Sequence, residues 1–167
     1  MSDHMGNTLS MTVIDDLAAD VGASVPTIRR AVELGLIKGT RPSPRKLDVS
    51  LAERMYVRRH WPLLSDLRRY LRTEKSVRVA VLYGSTARGS AGGDSDIDLA
   101  VLLENGDASA RLALQARLVE KLGRRVQVID MHDARASTPL WADIREDGRV
   151  LANRDGIDWR RIGVRRS

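Results

Sequence analysis

The chain has no cysteine in its 167 residues, which excludes a disulfide framework, a thiolate metal site and a cysteine nucleophile. Any metal must therefore sit on carboxylates or histidine. Phenylalanine is missing as well, and aromatic residues make up only 4% of the chain, so a core has to be built from Leu, Val, Ile and Ala. No apolar run approaches the roughly 20 residues needed to span a bilayer, and the first residues, including Asp3 and His4, lack the basic-then-apolar order of a secretory signal. A cytoplasmic protein with no membrane association is the expectation.

The length suits two small compact units and not three. A formal net charge of +6 is supplied mostly by arginine, whose planar fork binds two phosphate oxygens at once, so nucleic acid or nucleotide is the expected partner class. A solvated basic face has the same composition, and only the position of the charges separates the two.

Residues 1–10 are polar and unpatterned and read as a disordered lead-in. In 11–74 the pattern is helical. Val13, Ile14, Leu17, Ala18 and Val21 form a short amphipathic helix stopped by Gly22. Ser24 offers an N-cap and Pro26 a first-turn proline, predicting a second helix from Val25 to Leu34 that ends at Gly35. Gly39, Pro42 and Pro44, set among Lys38, Arg41, Arg45 and Lys46, read as a basic loop or two-stranded wing. After Ser50, Leu51 to about Arg72 reads as two helices, or one kinked at Pro62.

Thr73 to Ser76 is the expected boundary, and the period then changes. Strands are predicted at Val77 to Tyr83, Ile97 to Leu103 and Arg125 to Ile129, with a helix from Ala110 to Leu122 before Gly123. A helix around Leu140 to Arg145 and an apolar pair, Val150 and Leu151, close a second unit over 75–155, followed by a basic tail at 156–167. The fold class expected is α+β: an N-terminal helical, winged helix-turn-helix-like domain, then a small mixed-sheet α/β domain.

The informative run is Val81 to Leu103. Gly84 and Ser85 end a strand and open a short helix, where free backbone N–H groups attract anions and the missing Cβ lets a phosphate approach the backbone. Asp96 and Asp98 stand two apart at the start of the next strand, so both project from one face and can share a divalent cation, Mg²⁺ or Mn²⁺. A Gly-Ser pair alone is an ordinary turn and Asp-x-Asp alone a solvated loop. A strand, Gly-Ser, ten residues and Asp-x-Asp leading into an apolar strand is far more constrained.

This run resembles the minimal nucleotidyltransferases of the DNA polymerase β-like superfamily, whose pattern is G-S-x10-D-x-D. The likeness extends over 77 to about 153, including the late pattern around Glu146, Gly148 and Leu151. It implies transfer of a nucleoside monophosphate from ATP or another nucleoside triphosphate to an acceptor hydroxyl. Gly84 and Ser85 would hold the β/γ-phosphates, Arg88 would lie near the triphosphate, and Asp96 and Asp98 would ligate metal and carry the catalysis. The family usually places a third carboxylate on the following strand, where this chain has Gln127. An amide cannot take a proton, and Asp130 or Asp133 are the substitutes in reach of the sequence, Asp130 on the opposite strand parity.

In the N-terminal half, Thr27, Arg29 and Arg30 on the second helix, with Arg41, Arg45 and Lys46 on the wing, resemble helix-turn-helix or winged MerR-like DNA-binding domains. A helical oligomerisation or partner-docking module is the other reading of the same pattern. Joined to a minimal nucleotidyltransferase, the resemblance implies an antitoxin that adenylylates or masks a toxin protein and binds DNA. The alternative is a non-catalytic transcriptional regulator with a degenerate nucleotide-binding domain. Transfer to a small molecule such as an aminoglycoside ranks last. Trp141 and Trp159 are expected to be packing anchors.

Overall fold

A computed structural model describes residues 12–93 and 95–163. The lead-in expected at 1–10 and the end of the basic tail lie outside the described residues. Helix α1 (Val13–Val21) begins with a reciprocal cap: the Asp15 N–H donates to the Thr12 hydroxyl at 3.2 Å, and the Thr12 N–H donates to the Asp15 carboxylate at 2.8 Å. Helix α2 (Val25–Leu34) is capped by Ser24, carries a proline in its first turn and stops at Gly35. The basic segment that follows is an antiparallel hairpin, β1 (Thr40–Ser43) with β2 (Lys46–Asp48).

Helix α3 runs unbroken over Leu51–Thr73 with Pro62 inside it, which settles the choice between two helices and one. An internal proline costs about 3 kcal/mol. Here Tyr56, Val57 and Trp61 before it, and Leu64, Leu67 and Leu71 after it, lie buried on one continuous stripe, and that burial offsets the cost.

The remaining elements are β3 (Val77–Tyr83), α4 (Gly84–Arg88), β4 (Ile97–Leu103), α5 (Ala108–Leu122), β5 (Val126–Asp130), α6 (Met131–Ala136), α7 (Thr138–Asp147), β6 (Arg149–Asn153) and a single 3₁₀ turn (Trp159–Arg161). The four-stranded sheet has the order β5-β4-β3-β6, with β3 antiparallel to both β4 and β6 and β4 parallel to β5 through the α5 crossover. The architecture is α+β with a mixed sheet. Helix α6 escaped the sequence reading because Asp130, which caps it, looks like any polar residue at a strand end.

Alternation along the strands sends two sets of side chains to opposite faces. Ile97, Leu99 and Val101 pack with α1, α2, α3 and α5 in a cluster that begins at Ile14, spans the 73–76 connection and reaches Leu151. Val79, Val81 and Ala100 pack on the other face against Met131 of α6, Trp141 and Ile144 of α7, and Trp159. Trp159 lies in the segment expected as a tail; it is 3% exposed and meets Trp141 edge-on at 6.1 Å between ring centroids. Among the described residues no helix is long and apolar enough to cross a membrane.

One polar cluster is embedded in this apolar frame. Glu53 of α3 and Arg149 of β6, both buried, form a two-pronged pair at 2.6 and 2.8 Å. Arg149 also donates to the Leu36 carbonyl at 3.2 Å and the Ala87 carbonyl at 2.8 Å, and its guanidinium lies 3.6 Å from the centre of the Tyr56 ring. The Lys38 N–H completes the set by donating to Glu53 at 2.6 Å. Removing one partner strands a buried charge, so Arg149→Met or Glu53→Gln should lower the unfolding free energy by about 3–5 kcal/mol. In urea titrations the double variant Glu53→Leu/Arg149→Met should recover much of that loss.

Candidate functional site

The site forms where β3 ends and β4 begins. Tyr83, the last residue of β3, stands opposite Asp98 in the antiparallel register, and Asp98 stands opposite Gln127 across the parallel β4–β5 pair. Register partners share a face, and residues two apart on a strand share it as well. Asp96, Asp98 and Gln127 therefore line one side of the sheet edge, the side that α6 and α7 cover further along.

Gly84 turns the chain from β3 directly into α4. Its φ of +74° is left-handed, and a Cβ there would stand 2.8 Å from Asp98 Oδ2. Any other residue at this position would be strained and would collide with the carboxylate. The bare backbone of the Gly84-Ser85 turn thus lies directly against Asp98.

Helix α4 has five residues, too few to hold itself. Its carbonyls are secured from outside: Thr86 accepts from the Tyr56 hydroxyl at 3.0 Å and Ala87 from Arg149 at 2.8 Å. The Thr86 hydroxyl donates to the Asp96 carbonyl at 3.3 Å, tying the turn to the acidic pair. Glu53, Tyr56 and Arg149 were not visible as contributors in the sequence. Arg149 sits in a charged Glu-Asp-Gly-Arg run that reads as a solvated turn, and Glu53 looks like a first-turn helix charge.

Burial raises the pKa of the Asp98 carboxyl above its ordinary value, the charge of Asp96 raises it further, and Arg88 acts in the opposite direction. The Tyr83 hydroxyl is pushed up to about 12 by burial and by Asp98. Asp96 meets Arg125 at 3.3 Å through an exposed guanidinium. Arg88 pairs with Asp147 at the end of α7 at 3.0 Å, a partner the sequence did not suggest.

Of the two candidates for a third position, Gln127 is exposed and adjacent to Asp98. Asp130 is not part of this group. It lies three residues further along β5, about 10 Å at the usual strand rise, on the opposite face, where it accepts the N–H groups of His132 at 2.8 Å and Asp133 at 3.3 Å as the cap of α6. Asp133 is in the first turn of that helix, at the same far end. Among the described residues no group of three histidine, aspartate or glutamate side chains assembles as a metal cage.

The basic N-terminal candidates are spread over two elements. Thr27 shares a 2.7 Å hydrogen bond with Ser24 in the first turn of α2, and Arg29 and Arg30 are exposed on the same helix. Arg45 and Lys46 are exposed on the hairpin, while Arg41 bends back to Glu33 of α2 at 3.2 Å and to the Pro44 carbonyl at 2.9 Å.

Residues 65–157 match the family described as "Polymerase beta, Nucleotidyltransferase". No curated protein matches the chain. Among solved structures, one described as a toxin-antitoxin with AMP-PNP is 29% identical, covering 55% of this chain and 74% of that one with a TM-score of 0.47. The toxin-antitoxin MntA-HepT is 26% identical over 56% of this chain and 72% of that one, TM-score 0.43. A Shewanella oneidensis complex of a tri-AMPylated HEPN toxin with an MNT antitoxin is 24% identical over 54% of this chain and 72% of that one, TM-score 0.42.

The contact of Gly84 with Asp98 has a direct test. Gly84→Ala should destabilise the fold by about 1–3 kcal/mol, whereas Gly92→Ala, where a Cβ meets nothing within 4 Å, should leave the urea midpoint near that of the parent.

Proposed function

The chain belongs to the polymerase β nucleotidyltransferase family, and on that premise we propose that it transfers AMP from ATP to a hydroxyl of a protein partner, as the DNA-binding antitoxin of a toxin–antitoxin pair. The observation that carries this reading is the convergence of the Gly84 backbone on Asp98, with Asp96 beside it on one face.

The acidic pair fits a divalent cation. Two carboxylates share one face, burial first and then the charge of Asp96 raise the Asp98 pKa, and hard oxygen donors favour Mg²⁺ or Mn²⁺. Asp96 and Asp98 would hold the ion, which when bound supplies neutralisation of the charge on the transferring and leaving phosphoryl oxygens. The Gly84-Ser85 turn would receive the triphosphate, and Arg88, held by Asp147, would border it.

In the transfer a bond forms between the acceptor oxygen and the α-phosphorus, the α–β bridging bond breaks, and pyrophosphate leaves. The acceptor proton must go to a base or to solvent. Gln127 cannot receive it. A protein acceptor is supported by the openness of the acceptor side, where Gln127 is exposed and the Arg125 side chain is 85% exposed.

Gln127 is also the observation that favours a second reading, a transcriptional regulator whose domain binds nucleotide without turnover. Incubating the protein with α-labelled ATP, Mg²⁺ and the product of the neighbouring gene separates them. Labelled partner is expected, with Asp96→Asn or Asp98→Asn reducing the label at least about 10²-fold while circular dichroism stays unchanged. No label on the partner, together with an ATP-dependent gel shift of the gene's upstream DNA, supports the regulator instead. Gln127→Asp restores a carboxylate beside Asp98, and its transfer rate should rise, by up to about 10²-fold if it acts as a base.

DNA binding is supported by the exposed arginines of α2 and the hairpin. In the same gel shift, Thr27→Ala/Arg29→Ala and Arg45→Ala/Lys46→Ala should each weaken the complex.

A further inference from the structure

Arg68 stands half-buried on α3, with Arg72 one turn further along the helix and Arg30 reaching it from α2. Among the described residues none of the three pairs with a carboxylate. The neighbouring arginines are already engaged: Arg69 pairs with Asp66 at 2.9 Å, and the Arg154 guanidinium, still charged, donates to the carbonyls of Lys75 and Glu74. Like charges one helical turn apart repel, and partial burial withdraws the water that would screen them. Burial followed by the charges of Arg72 and Arg30 depresses the Arg68 pKa. The fold gains no ion pair from holding the three guanidinium groups together, so the crowding points to an anion supplied from outside.

The shape is that of a trough. A groove of about 530 Å³ lies between α2 and α3, lined by Thr27, Trp61, Ser65, Arg68 and Arg72 among others. A second groove of about 380 Å³ shares Arg68 and Arg72 with it and continues past Arg30 to β6. The Arg68 and Arg72 guanidinium groups sit where the two meet, and Arg30 lines the second. The two adjoining grooves make an elongated surface, which matches a polyanion that runs through it better than a compact one enclosed by it. Thr27 and Arg30 belong to the helix proposed above to face DNA, so a duplex against α2 would meet the trough along α3.

We propose that this trough is a binding site for the phosphodiester backbone of duplex DNA, with Arg30, Arg68 and Arg72 each contacting phosphate. The site rests on the reading of α2 as a DNA-facing helix, shares Arg30 with it, and extends it to Arg68 and Arg72 in the far half of α3.

The test is fluorescence anisotropy of the full chain with a labelled duplex, measured over about 50–200 mM salt. Each phosphate contact contributes a slope of about 0.9 to log K against log salt, so Arg68→Ala/Arg72→Ala should flatten that slope by about two. Arg68→Lys/Arg72→Lys should retain it, which separates lost charge from lost folding. Arg145→Ala, which removes one exposed charge on α7, should leave it unchanged. A slope unaltered in the double alanine variant, or flattened equally by Arg145→Ala, overturns the proposal. So does displacement of the duplex by polyglutamate or inorganic tripolyphosphate at equal charge with the slope unchanged. If Thr27→Ala/Arg29→Ala weakens binding while the trough variant does not, the trough is refuted and α2 as a DNA-facing helix stands. If the parent protein binds no duplex, both fall.

Discussion

Placing a guanidinium and a carboxylate inside a protein costs several kcal/mol per ion unless every donor and acceptor is satisfied. Arg149 and Glu53 meet that condition by recruiting four parts of the chain: the turn after α2 through Leu36, the start of α3 through Glu53 and Tyr56, the end of α4 through Ala87, and β6 itself. The N-terminal helices and the sheet are consequently joined by a polar knot as well as by a shared apolar cluster. The knot lies directly behind the Gly84-Ser85 turn. A five-residue helix has little stability of its own, so the position of that turn relative to Asp98 depends on side chains drawn from α3 and β6.

The front of the site obeys a different constraint. Asp96 and Asp98 are forced together by the strand period, and Gly84 presses against one of them because nothing but hydrogen occupies the space where a side chain would be. Such an arrangement concentrates negative charge where a backbone turn is open to an anion, and a cation between the two relieves both. Arg88 and Asp147 neutralise each other at the border, while Gln127 adds a polar group without charge next to Asp98. For the proposed transfer, two carboxylates stand on the metal side, and at the register of Gln127 there is no carboxylate.

Elements governed by local chemistry were legible before the fold was known. The cap at Ser24, the stops at Gly22 and Gly35 and the alternation in β3 and β4 act within a few residues, so their boundaries follow from neighbours in the chain. Elements governed by distant partners were not. The continuity of α3 through Pro62 depends on what its buried stripe packs against, and Asp130 became a helix cap because the chain turns immediately after β5. A capping aspartate and an aspartate proposed to bind metal are the same residue type beside the same kind of strand, and the face on which each projects tells them apart.

The sequence by itself determined the Gly-Ser turn, the aspartate pair two residues on from one another and the strands that carry them, because all lie within one short run whose spacing acts through the periods of backbone geometry. The β4–β5 register sets Gln127 beside Asp98, as strand parity had implied, and the tertiary structure alone decided that Arg88 is held by Asp147 and that Arg149 braces α4 against Glu53 and Tyr56. Those relations join residues 29 to 96 positions apart, and no periodicity in the chain encodes which distant side chain closes a hydrogen bond once the sheet register and helix packing have been set.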